Sequence, residues 1–168
     1  QAHGAQPLPA RVLQQLQREV LPAGADRTAQ VRWSDCSVRL WRRHAYLLPA
    51  RLPALPPHWH ADWDGQQPLP LPDGGQLRLL GSAGFEQPLQ VRARRGGERL
   101  LLPGRDHQHA LKDCLQREHL APWRRAQLPL LYNAAGELLA AADVVVGARL
   151  QAWLQANGAQ LQWRPGGW

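Results

Sequence analysis

The 168-residue chain predicts an α+β fold: a small helix and an antiparallel meander, followed by an α+β module with a mixed sheet and one main helix. Three observations carry this. Apolar residues alternate with polar ones in several short segments, and they recur at helical spacing over 12–20 and 110–115. A hydrophobic content of 44% with eight Trp marks a chain that buries a core.

The first helix is read from Val12, Leu13, Leu16 and Val20, with Pro9 suited to its first turn and Pro22 and Gly24 beyond its end. Residues 30–48 then alternate as VRW, a turn at Ser34-Asp35, SVRLW, a break at 42–44, and AYLL, which is the pattern of a meander. Seven Pro between Pro49 and Pro72 interrupt regular structure and predict a linker or a well-packed extended crossing. The expected divisions are therefore 1–50, a Pro-rich linker 51–72, and a module 73–168. Within the module, QLRLLG (76–81) and LQVRAR (89–94) read as strands, and the period of two puts Gln90, Arg92 and Arg94 on one face. Gly96-Gly97 ends the second strand in a turn. Asp106 is placed to cap a helix over 107–119 whose apolar stripe is Ala110, Leu111, Cys114 and Leu115. Pro122 opens a short turn, LPLLY and ELLAAADVVV flank a hairpin at Asn133 to Gly136, and 159–163 reads as a last strand after Asn157-Gly158.

Charge is concentrated rather than spread. Between Val91 and Arg125 stand nine basic residues (Arg92, Arg94, Arg95, Arg99, Arg105, Lys112, Arg117, Arg124, Arg125) against four acids (Glu98, Asp106, Asp113, Glu118), a net +5 of the chain's +7. Nineteen Arg against one Lys suggests a GC-rich coding sequence, which raises the net charge but does not explain its location. A basic strand, turn and helix without a matching carboxylate cluster are the footprint of a phosphate-backbone binder. Any of these arginines held in a buried pair with Glu98 or Glu118 would drop out of that set.

Other classes have little support. Cys36 and Cys114 share no CxxC spacing, which argues against a zinc knuckle or a disulfide framework and fits a reducing compartment. No apolar run approaches the ~20 residues needed to span a bilayer, and no signal pattern opens the chain, so a cytoplasmic protein without membrane contact is expected. The chain starts at Gln1 and has no Met, which points to a fragment of something longer. Ser34, Ser37 and Ser82 sit in no nucleophile elbow, and Cys114 is on an apolar helix face.

The stretches VRARRGGERLLLPGR and ALKDCLQREHLAPWRRAQLPLLYNAAGELLAAADVVV resemble the C-terminal region of bacterial tRNA(Ile)-lysidine synthetases, with their Arg-rich strand, Gly turn, LKK helix, PPWLRD and PLL strand. Upstream, RVLQQLQREV and SVRLWRRHAYLLPA resemble the end of that family's middle domain. The resemblance implies an α+β tRNA-binding module that grips the stem of tRNA(Ile). The catalytic part, a PP-loop domain with an SGGxDS motif, would use ATP, Mg and lysine to modify the wobble cytidine of a CAU anticodon. No such loop is present: PDGG (72–75) and GSAG (81–84) lack the Asp-Ser ending, so this chain is expected to need no cofactor and to be inactive by itself. By position, Arg92 and Arg94 fall on the basic strand, Arg99 on the Gly-Gly-acid-Arg turn, Arg105 on the PGR entry, Lys112 on the first Lys of LKK, and Arg125 on the Arg of PPWLRD. Arg94, Arg99, Lys112 and Arg125 are expected to be the main phosphate contacts, with Arg95, Arg117 and Arg124 beside them. The chain departs from the pattern at His107-Gln108 (a Gly pair), Asp113 (the second Lys), Ala121 (the first Pro) and Ala126 (the Asp after Arg125). A homodimer is left open.

Two readings from other classes stand beside this one. HWHAD (His58, His60, Asp62) with Asp106, His107 and His109 superficially resembles a metallo-hydrolase ligand set, although Trp63 stands where that loop would end in His. A Trp- and Pro-rich surface also suits a protein-interaction module without RNA binding. Trp123, between Pro122 and Arg124, could stack on a base but is expected in the core.

Overall fold

The computed structural model describes residues 10–15, 18, 30–33, 35–42 and 44–167. The described residues divide into two compact units, one within the first 52 residues and the other Pro53–Gly167. In the first, α1 (Ala10–Gln15) precedes a meander of β1 (Gln30–Trp33), β2 (Cys36–Trp41) and β3 (His44–Pro49), ordered β1-β2-β3 and antiparallel. The expected meander is thus present. Leu16 and Val20 of the expected helical stripe lie outside the described residues.

In the second unit the strands are β4 (His60–Trp63), β5 (Leu69–Pro70), β6 (Gln76–Leu80), β7 (Leu89–Ala93), β8 (Arg99–Leu101), β9 (Gln108–Ala110), β10 (Pro129–Tyr132), β11 (Leu138–Ala141), β12 (Val145–Val146) and β13 (Gln160–Arg164). They form a five-stranded sheet β12-β11-β10-β7-β4, a three-stranded sheet β13-β6-β5 and the hairpin β8-β9. The α+β class holds. Every described strand pair is antiparallel, however, so the expected mixed sheet is corrected. The hairpins β5-β6, β8-β9, β10-β11 and β11-β12 pair sequential strands antiparallel, and the longer returns β4-β7, β7-β10 and β6-β13 also bring their strands back antiparallel.

The stretch 51–72, read above as a linker or a well-packed extended crossing, contributes β4 and β5. Both lie at sheet edges, where proline costs no ladder bond, and HADW is a proline-free window between Pro57 and Pro68. β4 pairs with β7 in the register His60↔Arg92, Ala61↔Val91, Asp62↔Gln90, Trp63↔Leu89. Alternation on β7 comes out as expected: Leu89, Val91 and Ala93 are buried, while Gln90 and Arg92 are partly exposed. The core gathers Trp63, Leu77, Val91, Leu100, Leu111, Leu115, Leu128, Leu131, Ala140 and Leu161, none more than 5% exposed.

Two helical expectations change. The helix α2 covers only Leu111–Arg117 and is flanked at its start by Ala110, with no side-chain cap. Residues 108–110, expected in its first turn, are instead β9, because Leu100 and Leu101 offer them a ladder partner. Asp106 accepts a hydrogen bond from or shares a proton with His107 Nδ1 at 2.7 Å instead of capping a helix. A second helix in this unit, α3 (Ala148–Ala156), means that the module has two helices and not one. Its signal was in the sequence: Leu150, Trp153 and Leu154 at i, i+3 and i+4, ended by Asn157-Gly158. Pro122–Ala126 is a short 3-10 turn.

Candidate nucleic-acid interface

The nine basic side chains separate into four settings. Arg92, on β7, lies with its guanidinium carbon 4.8 Å from the centre of the Tyr132 ring, and its Nε donates to Gln90 Oε1. Burial raises the Tyr132 phenol pKa, with Glu98 adding to the shift.

Arg94, Arg95 and Arg125 line a cleft of about 350 Å³ together with Gly96, Pro122 and Ala126. The turn that presents them is built around Glu98. Its carboxylate accepts the N–H groups of Arg95 and Gly96, both at 2.6 Å, and lies 3.4 Å from Arg94 Nε. The Glu98 side chain is 7% exposed and that of Arg94 21%. Gly96 and Gly97 have φ of 96° and 79°, a left-handed region that a side chain resists. Arg94 thus forms an ion pair with Glu98 while it still lines the cleft. Arg95 is exposed, and Arg125 donates to the Leu120 carbonyl at 3.2 Å. Burial, and then the neighbouring Arg94, lower the Arg125 pKa from its ordinary value, without bringing an arginine near neutrality.

Arg99, Arg105 and Arg117 come from a strand, a turn and a helix, and all three are exposed. Together with His107 they act on His109, whose pKa is lowered first by desolvation and then by His107, Arg105, Arg117 and Arg99. The His107 and His109 rings are 4.5 Å apart, and His109 Nε2 is buried without a hydrogen-bond partner. The ladder pair Leu100↔His109 sets this neighbourhood, and Arg99 reaches across to donate to the Gln108 carbonyl at 2.7 Å. His109 was considered above only as a metal ligand. Sequence pattern did not reveal its place among the arginines, since that depends on a three-residue hairpin. Lys112 is exposed on α2.

Arg124 turns inward. Its Nη1 donates to Gln127 Oε1 at 3.1 Å and to the Gly166 carbonyl at 3.4 Å, and burial lowers its pKa while Asp73 opposes the shift. Gln127, fully buried, donates to Asp73 Oδ2 at 3.1 Å and to the Gly166 carbonyl at 3.3 Å. Arg124 thus serves the junction between the 3-10 turn, the Asp73 loop and the last residues. Trp123 beside it is 6% exposed, as the core reading expects.

The alternatives fare differently. Among the described residues no three His, Cys, Asp or Glu side chains approach closely enough to hold a metal ion. The Gly-rich loop at Asp73–Gly75 does not fit ATP phosphates: Asp73 Oδ1 takes the Gly75 N–H at 2.9 Å, and a side chain at Gly75 would strike the Arg164 carbonyl. Ser37 Oγ donates to the Pro49 carbonyl at 3.3 Å, and Ser82 Oγ to that of Gly84 at 3.3 Å, so neither is an activated nucleophile. No described helix is long and apolar enough to cross a membrane.

Comparison with known proteins identifies the family. The family model described as the TilS substrate C-terminal domain matches residues 89–163, and the one described as the TilS substrate binding domain matches residues 1–46. A tRNA(Ile)-lysidine synthase of Xanthomonas campestris is 51% identical over 162 residues, which is 95% of this chain and 37% of that protein. The synthase of Xylella fastidiosa is 48% identical over 96% of this chain and 38% of its own length, and that of Edwardsiella ictaluri 38% identical over 90% and 35%. A crystal structure of a TilS C-terminal domain overlays with a TM-score of 0.46 at 20% identity, covering 66% of this chain and all of that one. The chain spans little more than a third of the length of these relatives. With two matched domains and half-identical relatives along nearly its whole length, the chain belongs to the tRNA(Ile)-lysidine synthase family and corresponds to its C-terminal region.

Proposed function

We propose that this chain is the tRNA-recognition portion of a cytoplasmic tRNA(Ile)-lysidine synthase, with the part up to residue 52 closing the middle substrate-binding domain and 53–167 forming the tRNA-binding domain. The observation that supports it best is the set of exposed arginines Arg99, Arg105 and Arg117, on the β8 strand, the turn after it and the helix after β9. Like charges drawn together by folding raise the energy of the free protein, and a polyanion relieves it. A-form RNA offers phosphates and 2′-hydroxyls while hiding its major-groove edges, so a stem is gripped by shape and charge. The proposed contacts are Arg95, Arg99, Arg105, Lys112, Arg117 and Arg125. Arg92, Arg94 and Arg124 leave the set because Tyr132 and Gln90, Glu98, and the Asp73–Gln127 network respectively hold them. Ligation of lysine to cytidine, with ATP and Mg, belongs on this reading to a part of the protein outside this chain.

The test is the chain's affinity for a minor isoleucine tRNA transcript across salt concentrations, with a methionine tRNA and heparin as comparators. Tighter binding to the isoleucine tRNA, together with loss on Lys112→Ala plus Arg125→Ala, is the expected result. Equal binding to all three ligands reduces the surface to a non-specific one. No binding to any of them favours a structural or protein-interaction module.

A further inference from the structure

Beside the stem-binding surface, the outer face of β7 carries a second concavity of different chemistry. A cleft of about 470 Å³ is lined by Asp62, Pro88, Gln90, Arg92 and the hairpin 133–136. Its volume falls in the range that holds a small organic ligand. The ladder sets Asp62 directly opposite Gln90, and Gln90 opposite Tyr132. Gln90 Oε1 accepts from Arg92 Nε, which leaves the Gln90 amide NH2 as a donor. Asn133 is already committed, because its amide and carbonyl both bond Glu137. Asp62 is exposed, and its side chain has no hydrogen bond or ion pair among the described residues, including none with Arg92. The Arg92 guanidinium carbon lies over the Tyr132 ring, 4.8 Å from its centre.

A carboxylate at the mouth makes this a poor phosphate site, and an arginine tied to an aromatic ring makes it a poor site for a simple cation. What suits it is a flat heterocycle with two adjacent donors and one acceptor. Arginine planes stack on bases, a carboxylate takes two parallel N–H groups, and an amide NH2 reaches a carbonyl oxygen. Guanine presents that set along its Watson–Crick edge: N1–H and the 2-amino group beside O6. We infer that this cleft takes one unpaired guanine, with Asp62 reading N1–H and the 2-amino group, Gln90 reading O6, and Arg92 stacking on the ring. The inference rests on the RNA-binding reading for the source of the base, since the same edge is carried by free guanine nucleotides.

The 168-residue chain is titrated with a uridine hexamer containing one guanosine, the same hexamer with inosine or adenosine, guanosine monophosphate, and a blunt RNA duplex with no unpaired base. Inosine keeps N1–H and O6 but lacks the 2-amino group. A guanosine-over-inosine preference of roughly tenfold, falling to about one in Asp62→Asn, is the expected result. The ratio cancels the general gain in RNA affinity that removal of a negative charge brings. Arg92→Lys keeps the charge but loses the plane, and lowers guanosine-hexamer affinity relative to the duplex. If guanosine, inosine and adenosine hexamers bind alike, or if Asp62→Asn leaves a preference intact, the inference is overturned, and duplex binding in the same series still upholds the stem reading. If guanosine monophosphate binds and neither the hexamers nor the duplex do, the cleft is a guanine site filled by free nucleotide and the stem reading falls. If nothing binds, both fall.

Discussion

Glu98 decides which arginines of the turn stay free, because one nearly buried carboxylate holds two backbone N–H groups and the Arg94 side chain. Glu98→Gln keeps the shape but loses the charge that all three partners point toward. A drop of about 1–3 kcal/mol in unfolding free energy, read from the urea midpoint at unchanged slope, is expected from orphaning such a group. His109 is the second residue whose chemistry depends on its neighbours. Desolvation and the charges of His107, Arg105, Arg117 and Arg99 hold its pKa below the ordinary histidine value of about 6.5. As pH falls through that value the unfolded chain takes up this proton before the folded one does, so the imidazole contributes stability above it that is lost below it. The wild type should therefore lose more stability than His109→Gln between pH 7.5 and 5.5, and equal losses would remove the residue from this account. A phosphate bound among the same arginines reverses the local field, so RNA affinity should rise over that interval in the wild type and less in the variant.

At the scale of elements, the hairpin β8-β9 is what makes a site from separate charges. Three ladder pairs, Arg99↔Ala110, Leu100↔His109 and Leu101↔Gln108, bring the Gly-Gly turn and the start of α2 together. The hydrogen bond from Leu111 N–H to the Glu98 carbonyl at 2.8 Å continues this junction into the helix. The charge run was legible in the sequence, and so were β7, β10, β11 and their turns, since each carries period-two alternation or a Gly signal. The hairpin was not, because three-residue strands have no periodicity to read and LLLPGR is as good a turn as it is a strand. If Arg99 and Arg117 each meet one phosphate, Arg99→Ala plus Arg117→Ala should reduce the slope of log affinity against log salt by about 2 while binding persists. An unchanged slope would place the phosphate contacts elsewhere on the surface.

The whole of the apolar core cluster lies between Leu55 and Trp163, inside the second unit. The Asp73–Gln127–Gly166 network closes that unit at its far end, where a side chain at Gly166 would collide with the Asp73 carbonyl. A chain of residues 53–167 is expected to unfold in one cooperative urea transition. One beginning at residue 73 lacks β4 and Trp63, and should lose that cooperativity. Equal behaviour of the two would mean that 53–72 is dispensable for the fold.

The sequence by itself determined the α+β class, the family resemblance and the location of the positive charge, because alternation, glycine turns and charge counts are local properties of neighbouring residues. Only the tertiary structure decided which charges are available. Arg94 and Arg124 look in the sequence like Arg99 and Arg117, yet the first two meet Glu98 and the Asp73–Gln127 network while the last two stay exposed around His109. Availability of a side chain is set by partners as much as 54 residues away, as Gln127 is from Asp73, and no pattern among neighbouring residues encodes them.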